Sequence, residues 1–480
     1  MILYIHIPFC ESKCGYCAFN SVVLKHSHNL EDLQKQYIDA LVLDISHTLK
    51  AYKQYLANDL DSNKLPKERD FMDIFSSLDS SVLNHTKTSQ NIILDSIYIG
   101  GGTPNTLHQR DYERIFSAIF DNATLAKNAQ ITIEANPNLL NKHWCEALRY
   151  FGVNRISMGV QSFNEAKLKF LERSHSTKDI SKAIELAAKI FAHCSIDVIY
   201  GTPLDSSDLL RREVETATNL PISHISAYCL MQENGAKNAI KYAKLESKIK
   251  QTQNAQNAKE IQMGDFNDLG ITSRDLDFIS NDGLDSSDMG EILRNELNKQ
   301  GFNQYEVSSF VLEKTHNFCA KSVHNLSYWK GQEYLACGLS AVGRVGQWRY
   351  SGGRDLSRYI AYPLQKQAEY LEMEDLAFER IFLGLRSEVG IKLSTYATKQ
   401  ILGNLSPKSS TLSSTMLKSP LKMLSKQTFE QNILSALENL LNLNRISILI
   451  NEGKCTLKGQ NLVANDYFLA DEIALYITKC

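Results

Sequence analysis

Several things are missing from this chain, and each absence removes a class of protein. Its 480 residues contain no apolar run near the roughly 18 residues that span a bilayer. The N-terminus carries neither a basic n-region nor a small-residue cleavage site, so the reading is of a soluble, cytoplasmic protein. A formal net charge of −2 leaves no electrostatic footprint for nucleic acid. Cysteine is sparse, at ten residues, and seven of these are scattered: Cys145, Cys194, Cys229, Cys319, Cys337, Cys455 and Cys480. Scattered cysteines in a reducing compartment are small buried hydrophobes rather than a disulfide frame. No second C-x2-C pair accompanies the first, as a structural zinc site usually demands.

What the chain does have begins at once. Ile2 to Ile7 is a short apolar run rich in β-branched and aromatic residues, stopped by Pro8, and reads as a buried strand. Cys10, Cys14 and Cys17 follow at C-x3-C-x2-C, on the loop leaving that strand's C-terminal end, where α/β folds keep their chemistry. Three close thiolates indicate a metal site. Zinc would need a fourth ligand, and only His6 is near. An iron–sulfur cube normally takes four cysteines, so three leave one iron open. That open iron can be chelated by the amino and carboxylate groups of S-adenosylmethionine (SAM).

After the cysteine loop, Leu30 to Tyr55 has helical apolar spacing, with Leu33, Tyr37, Leu41 and Ile45 on one face. Residues 56–90 are polar and read as an insertion or long loop. Strand patterns then recur at Ile92–Ile99, Gln130–Ala135, Val153–Val160, Ser195–Tyr200 and Ile222–Leu230, most of them followed by a helical pattern. Repeated βα units with right-handed crossovers make a parallel sheet. The expected fold class is α/β: an open, TIM-like (β/α)6 partial barrel over 1–235, with a linker or insertion over 236–300 and a smaller α+β C-terminal domain over 301–480. The strand ends carry polar residues that should converge on the cysteine rim. Gly100-Gly101-Gly102-Thr103 permits a close backbone approach in which amides face a ligand; alone, it would read as a tight turn. Glu134 and Asp197 can accept from hydroxyl or ammonium groups, Gln161 can donate and accept, and Arg173 can grip a carboxylate.

The segments YIHIPFCESKCGYCAF, GGGTP, IEANP, GVNRISMGVQSF, IDVIYGTP, YEVSSF and HNLSYW occur in that order. Together they resemble the oxygen-independent coproporphyrinogen III oxidase family of radical-SAM proteins, and in particular its haem-chaperone branch, over most of 1–235 and 300–390. The resemblance implies a [4Fe–4S] cluster on Cys10, Cys14 and Cys17. It puts SAM against Tyr4, Phe19, Gly101, Gly102, Thr103, Glu134, Gln161, Arg173, Asp197 and Met231. It also implies haem binding by the HNxxYW motif, here His324, Asn325, Tyr328 and Trp329, with Cys319 a weaker competing ligand. Without the resemblance, a histidine beside a Tyr-Trp pair reads as a packed interface. The implied partners are haem, a haem-acceptor protein and an electron donor; a membrane-associated acceptor and a homodimer are compatible with this.

Two departures from the oxidase branch favour the chaperone. The oxidase has a further cysteine two positions after the third, where this chain has Phe19, and it has a lead-in segment, whereas here the first strand starts at Met1. Oxidative decarboxylation of coproporphyrinogen III is the alternative activity, and a radical-SAM scaffold for another substrate is a third. Glu172 is a further oddity, because the family commonly has glycine before the arginine. Near the C-terminus, residues 405–425 read as a mobile Ser/Lys/Pro-rich stretch. Ile446–Ile450 and Thr456–Leu462 read as a hairpin of a winged-helix-like lobe, closed by a helix from Leu469.

Overall fold

The computed structural model describes residues 1–24, 30–59, 70–78, 91–230, 284–312, 320–405 and 428–479. Met231, Cys319, most of the 236–300 stretch and nearly all of 405–425 lie outside them.

Six parallel strands form the centre of the molecule: β1 (Ile2–Ile7), then, beyond the two short strands β2 (Phe9–Cys10) and β3 (Val22–Val23) of the cysteine loop, β4 (Ile92–Gly101), β5 (Ala123–Ala135), β6 (Arg155–Gln161), β7 (His193–Tyr200) and β8 (His224–Cys229). They lie side by side in chain order, each parallel to the next, as the expected (β/α)6 unit requires. The sheet does not close on itself. It also continues past residue 300. β9 (Phe302–Gln304) and β10 (Ser309–Leu312) extend it antiparallel beyond β8. β11 (Tyr334–Cys337) pairs parallel with β1 and leads antiparallel through β12 (Val342–Val345) and β13 (Trp348–Gly352) to β14 (Lys366–Tyr370). Twelve strands therefore share one sheet.

Period-two alternation assigns the two faces. Leu3, Ile5, Ile7, Ile97, Ile99, Ile131, Ile133, Ile156 and Ile196 join one aliphatic core with Ile115, Leu148, Ile184 and Val214 of the covering helices. The alternate residues Tyr4, Ser96, Tyr98, Thr132, Glu134, Arg155, Ser157, Ser195, Asp197 and His224 are polar and lie on the concave face, mostly bonded to one another. The strand Ile2–Ile7, read as an apolar run, is thus aliphatic on one side only.

Two local expectations are corrected. The polar stretch before residue 90 contains a helix, Phe71–Ser77, capped by Asp70, whose Phe71, Ile74 and Phe75 are buried. Three apolar residues at i, i+3 and i+4 suffice for one helical face, even in polar surroundings. Ile446–Ile450 is not a strand. It lies in the helix Leu443–Asn451, N-capped by Asn442, with Ile446 and Leu449 buried one turn apart. The hairpin there is Cys455–Lys458 with Asn461–Ala464, followed by the helix Ala470–Ile477, and a second core of Leu371 to Ile477 surrounds it.

The far edge of the sheet is tied down by a buried charge pair. Asp44, on the helix Leu30–Asp59, accepts from Lys366 Nζ (2.6 and 2.7 Å), Tyr359 OH (2.9 Å) and the Gly338 amide (3.0 Å). Asp44 is 0% exposed and Lys366 1% by side chain. Removing one member of such a pair strands the other in a dry interior. Asp44→Ala should therefore cost about 3–5 kcal/mol in urea unfolding, and an Asp44→Leu/Lys366→Met double variant should recover much of it. A single-variant loss below about 1 kcal/mol would show that the edge is anchored elsewhere.

Candidate functional site

At the C-terminal ends of the parallel strands a cavity of about 450 Å³ opens. Cys10, Cys14 and Cys17 line it together with Glu134, Asn136, Ser157, Gln161, Arg173 and Asp197. The expected rim therefore forms.

The cysteine loop is held by backbone. The Gly102 amide donates to Ile7 O and the Thr103 amide to Phe9 O, both at 2.7 Å. A Cβ on Gly102 would lie 2.7 Å from Phe9 O and 2.8 Å from Ile7 O, so only glycine allows this approach. Gly101, at φ +113°, gives its amide to Glu134 Oε2 (3.1 Å). The three amides expected to face a ligand are thus used inside the protein. The glycine run fastens the cysteine loop to β4 and Glu134.

All three thiols are free and partly exposed. The Thr103 hydroxyl lies 3.5 Å from Cys10 Sγ, and Arg173 Nη1 donates to Cys14 Sγ at 3.1 Å. Arg173 also donates through Nη2 to Asn136 Oδ1 (2.7 Å) and Gly159 O (2.8 Å). Its guanidinium therefore serves the cysteine loop, where sequence reading gave it a ligand carboxylate. Burial pushes the Cys10 and Cys17 thiols up; hydrogen bonds from Thr103 to Cys10 and from the Phe19 backbone to Cys17 oppose this. Three free thiols lining one cavity, with Thr103 beside Cys10 and Arg173 beside Cys14, are a donor set that would suit a cluster ligated by three sulfurs.

In the same cavity, Glu134 accepts from Tyr98 OH (2.7 Å) as well as from Gly101. Burial raises its carboxyl above the usual range. Asp197 accepts from Ser157 Oγ (3.3 Å); burial first, and then the Glu134 charge, push it up to about 7. Two half-buried carboxylates facing one cavity are a site for hydroxyl or ammonium groups. Gln161 sits at φ +67°, where β6 and β7 slip register between Gly159 and Gln161. Phe19 lies at the mouth, 69% exposed.

Tyr4 and the HNLSYW residues are placed elsewhere. Tyr4 lies below the cavity, its hydroxyl 3.0 Å from His6 Nδ1. The helix Val323–Trp329, capped by Ser322, packs against the N-terminal half of β4. His324 is 2% exposed; Nδ1 lies 3.2 Å from Ser96 Oγ and Nε2 3.0 Å from Tyr328 OH. Its ring packs on Tyr98 (5.1 Å), and burial pushes the imidazole down to about 3. With both ring nitrogens engaged inside the protein, His324 is a packed residue here, not an open axial ligand. Sequence reading missed Tyr98, Asn136 and Ser157. Asn136 was visible in the quoted IEANP, and Tyr98 lies two residues, hence one face-repeat, before Gly100.

Comparison with known proteins bears on this arrangement. Residues 73–211 match the Radical SAM superfamily model, a span holding Gly101 to Asp197 but not the three cysteines. The chain is 28% identical over 400 residues to haem chaperone HemW of Lactococcus lactis, covering 82% of this chain and 84% of that one. It is 30% identical over 345 residues to haem chaperone HemW of Escherichia coli, covering 72% and 70%. The solved structure of coproporphyrinogen III oxidase HemN from Escherichia coli superposes with a TM-score of 0.61 at 17% identity, covering 98% of this chain and 88% of that one, which establishes a shared fold.

Two measurements check the site. Gly102→Ala should block iron uptake, whereas Glu172→Gly should retain it. Glu172 holds φ +55°, so glycine there relieves strain and should leave stability unchanged or raised by up to about 1 kcal/mol. Asp197 has a raised folded pKa, so its contribution is full below about pH 4 and is lost as pH rises through about 7. In ligand-free protein, Asp197→Asn should flatten that fall in stability between pH 4 and 7; an unchanged slope would assign it to another group.

Proposed function

The chain belongs to the haem chaperone HemW family of radical-SAM proteins, and we propose that it binds haem and hands it to an acceptor protein. The observation that carries this reading is the pairing of a three-cysteine rim with Phe19 at the position of the oxidase's further cysteine, in a chain whose 30%-identical relative is a haem chaperone. The likeness to the oxidase extends to the fold alone.

Cys10, Cys14 and Cys17 would hold a [4Fe–4S] cluster, which would supply an electron and an open iron for SAM. Gly102 and Thr103 keep the cysteine loop in place, and Arg173 donates to the Cys14 sulfur. Glu134 and Asp197, lining the same cavity with Gln161 and Phe19, would receive the ammonium and ribose hydroxyls of SAM. The thiols, free among the described residues, suit a reducing, cytoplasmic compartment. Among the described residues no helix is long and apolar enough to cross a membrane.

Anaerobic reconstitution should give about four irons and four sulfides per chain, lost when any of the three cysteines becomes alanine. A colourless protein replete with zinc overturns the cluster. With cluster and SAM in place, haem should bind, and coproporphyrinogen with a reductant should yield no vinyl product. Turnover to protoporphyrinogen would select the oxidase reading instead.

A further inference from the structure

Beside the ends of β6 and β7 a lysine is buried between two carboxylates. Lys167 lies on the helix Glu165–Phe170 and Glu213 on the helix Ser207–Thr218. Lys167 Nζ donates to Asp205 Oδ1 (2.5 Å) and to Glu213 Oε2 (2.9 Å). The side chains of Lys167 and Asp205 are 0% exposed and that of Glu213 13%. Each carboxylate gives only one oxygen to the lysine. Asp205 Oδ2 accepts from the Thr202 amide and hydroxyl, both at 2.8 Å. Glu213 Oε1 accepts from the Ser162 hydroxyl and from the Phe163 amide (2.9 Å). Ser162 directly follows β6, and Thr202 lies just beyond β7. The triad therefore yokes the two strand ends together.

What the yoke holds is a strained turn. Gln161, the last residue of β6, is left-handed at φ +67°, where a side chain is disfavoured. Its neighbours are fixed on both sides. Before it, Gly159 O accepts from Arg173 Nη2 (2.8 Å), and His175 Nε2 lies 3.0 Å from Val160 O. After it, Ser162 and Phe163 are bound to Glu213. The turn folds the Gln161 side chain back over Gly159: a Cβ on that glycine would lie 2.8 Å from Gln161 Nε2 and 3.3 Å from Arg173 Nη2. The amide of Gln161 thus stands beside Arg173 at the wall of the cysteine cavity. Burying three charges is costly, and apolar residues of similar size would hold the same helices as well. What the charges add is directed hydrogen bonding to particular backbone groups.

We propose that Lys167, through Asp205 and Glu213, is a positioning residue for the ligand of the cysteine cavity, acting by holding Gln161 in the conformation that presents its amide there. The proposal rests on the reading that this cavity takes SAM, and it places a determinant of SAM affinity outside the cavity wall. None of the three charged residues lines the cavity, and neither does Ser162. Their effect therefore passes through the backbone at Gln161. The cation is needed because both carboxylates contact one Nζ. Without it they would repel each other, and the strand ends they hold would move apart.

The test is isothermal titration of full-length, cluster-loaded protein with SAM, beside iron content and melting temperature. Ser162→Ala removes the hydroxyl that joins the turn to Glu213, and should weaken SAM about fivefold or more with iron content unchanged. Ser162→Thr, which restores a hydroxyl, should recover most of that affinity. Lys167→Met should weaken SAM roughly tenfold or more; if it fails to fold, the two Ser162 variants carry the test. Because the yoke acts through Gln161, Ser162→Ala should cause little further loss in a Gln161→Ala background. Ile446→Ala, in the second core, should lower the melting temperature and leave SAM affinity unchanged. Unchanged SAM affinity in Ser162→Ala, or a loss that adds in full to that of Gln161→Ala, overturns the positioning role and leaves the SAM reading standing. A matching loss of SAM in Ile446→Ala does the same, since affinity would then merely follow stability. Absence of SAM binding by cluster-loaded wild type overturns both.

Discussion

A parallel sheet with one polar face has to bury that face without leaving its groups unpaired, and this requirement governs the rest of the molecule. Arg155, Ser157 and His224 are buried and Tyr98, Glu134 and Asp197 half-buried on this face, where an unmet buried donor or acceptor costs about 1–3 kcal/mol. They are met chiefly by each other: Tyr98 with Glu134, Ser157 with Asp197, and Ser195 with His224 and thence Tyr305. Because the sheet is open, its two ends also need covers that carry polar partners. At the N-terminal end the cover is the helix Val323–Trp329, whose His324 supplies a nitrogen to Ser96. At the C-terminal end it is the cysteine loop, and burial raises the carboxyls of Glu134 and Asp197 beneath it despite their hydrogen bonds.

Placement of the cysteine loop depends on the same economy of contacts. β1 ends at Ile7, and beyond it Phe9 is the loop's anchor in the core, packed edge-on against Tyr37. The loop is held by two amides of the glycine run, and those amides reach Ile7 and Phe9 only because Gly102 has no side chain. Gly101 then ties the same run to Glu134. One short stretch of backbone thus sets the distance between the sulfurs and the carboxylates, which is the dimension that any ligand between them must match.

Much of this was legible in the residues. Strand periodicity located all six parallel strands, and the polar residues closing them did converge on the cysteines. Other features were not legible, for identifiable reasons. Ile2–Ile7 is buried as read, but an Ile-rich strand reads as aliphatic on both faces unless Tyr4 and His6 are taken as a polar repeat, and period two is weak over six residues. The destination of residues 302–370 depends on long-range pairing: β11 joins β1 across more than 300 residues of chain, which no local pattern encodes. Phe71, Ile74 and Phe75 were obscured by their polar flanks, and Ile446–Ile450 was ambiguous because a short apolar run suits either strand or helix. Glu172 was noticed as an oddity before its reason was visible. The backbone there is left-handed, the conformation for which glycine is favoured, and the chain carries the strain next to Arg173, whose three hydrogen bonds hold the turn.

His324 is read from its motif as an axial ligand, and in the folded chain both of its ring nitrogens have protein partners. An imidazole beside Tyr and Trp suggests an axial ligand, but ligation needs a free nitrogen facing a cavity, and neither nitrogen is free. Burial among Tyr4, Tyr98 and Tyr328 keeps the ring neutral, so it can accept at one nitrogen while donating at the other. A neutral histidine in that position links two hydroxyls that would otherwise be unpaired, one on the sheet and one on the covering helix. Any movement of Tyr328 then changes the partner of His324, and through its ring contact the setting of Tyr98 and Glu134. The residue is therefore suited to register at the rim what happens at the far end of the barrel, a role that a metal-bound histidine, with one nitrogen committed to iron, would fill less well.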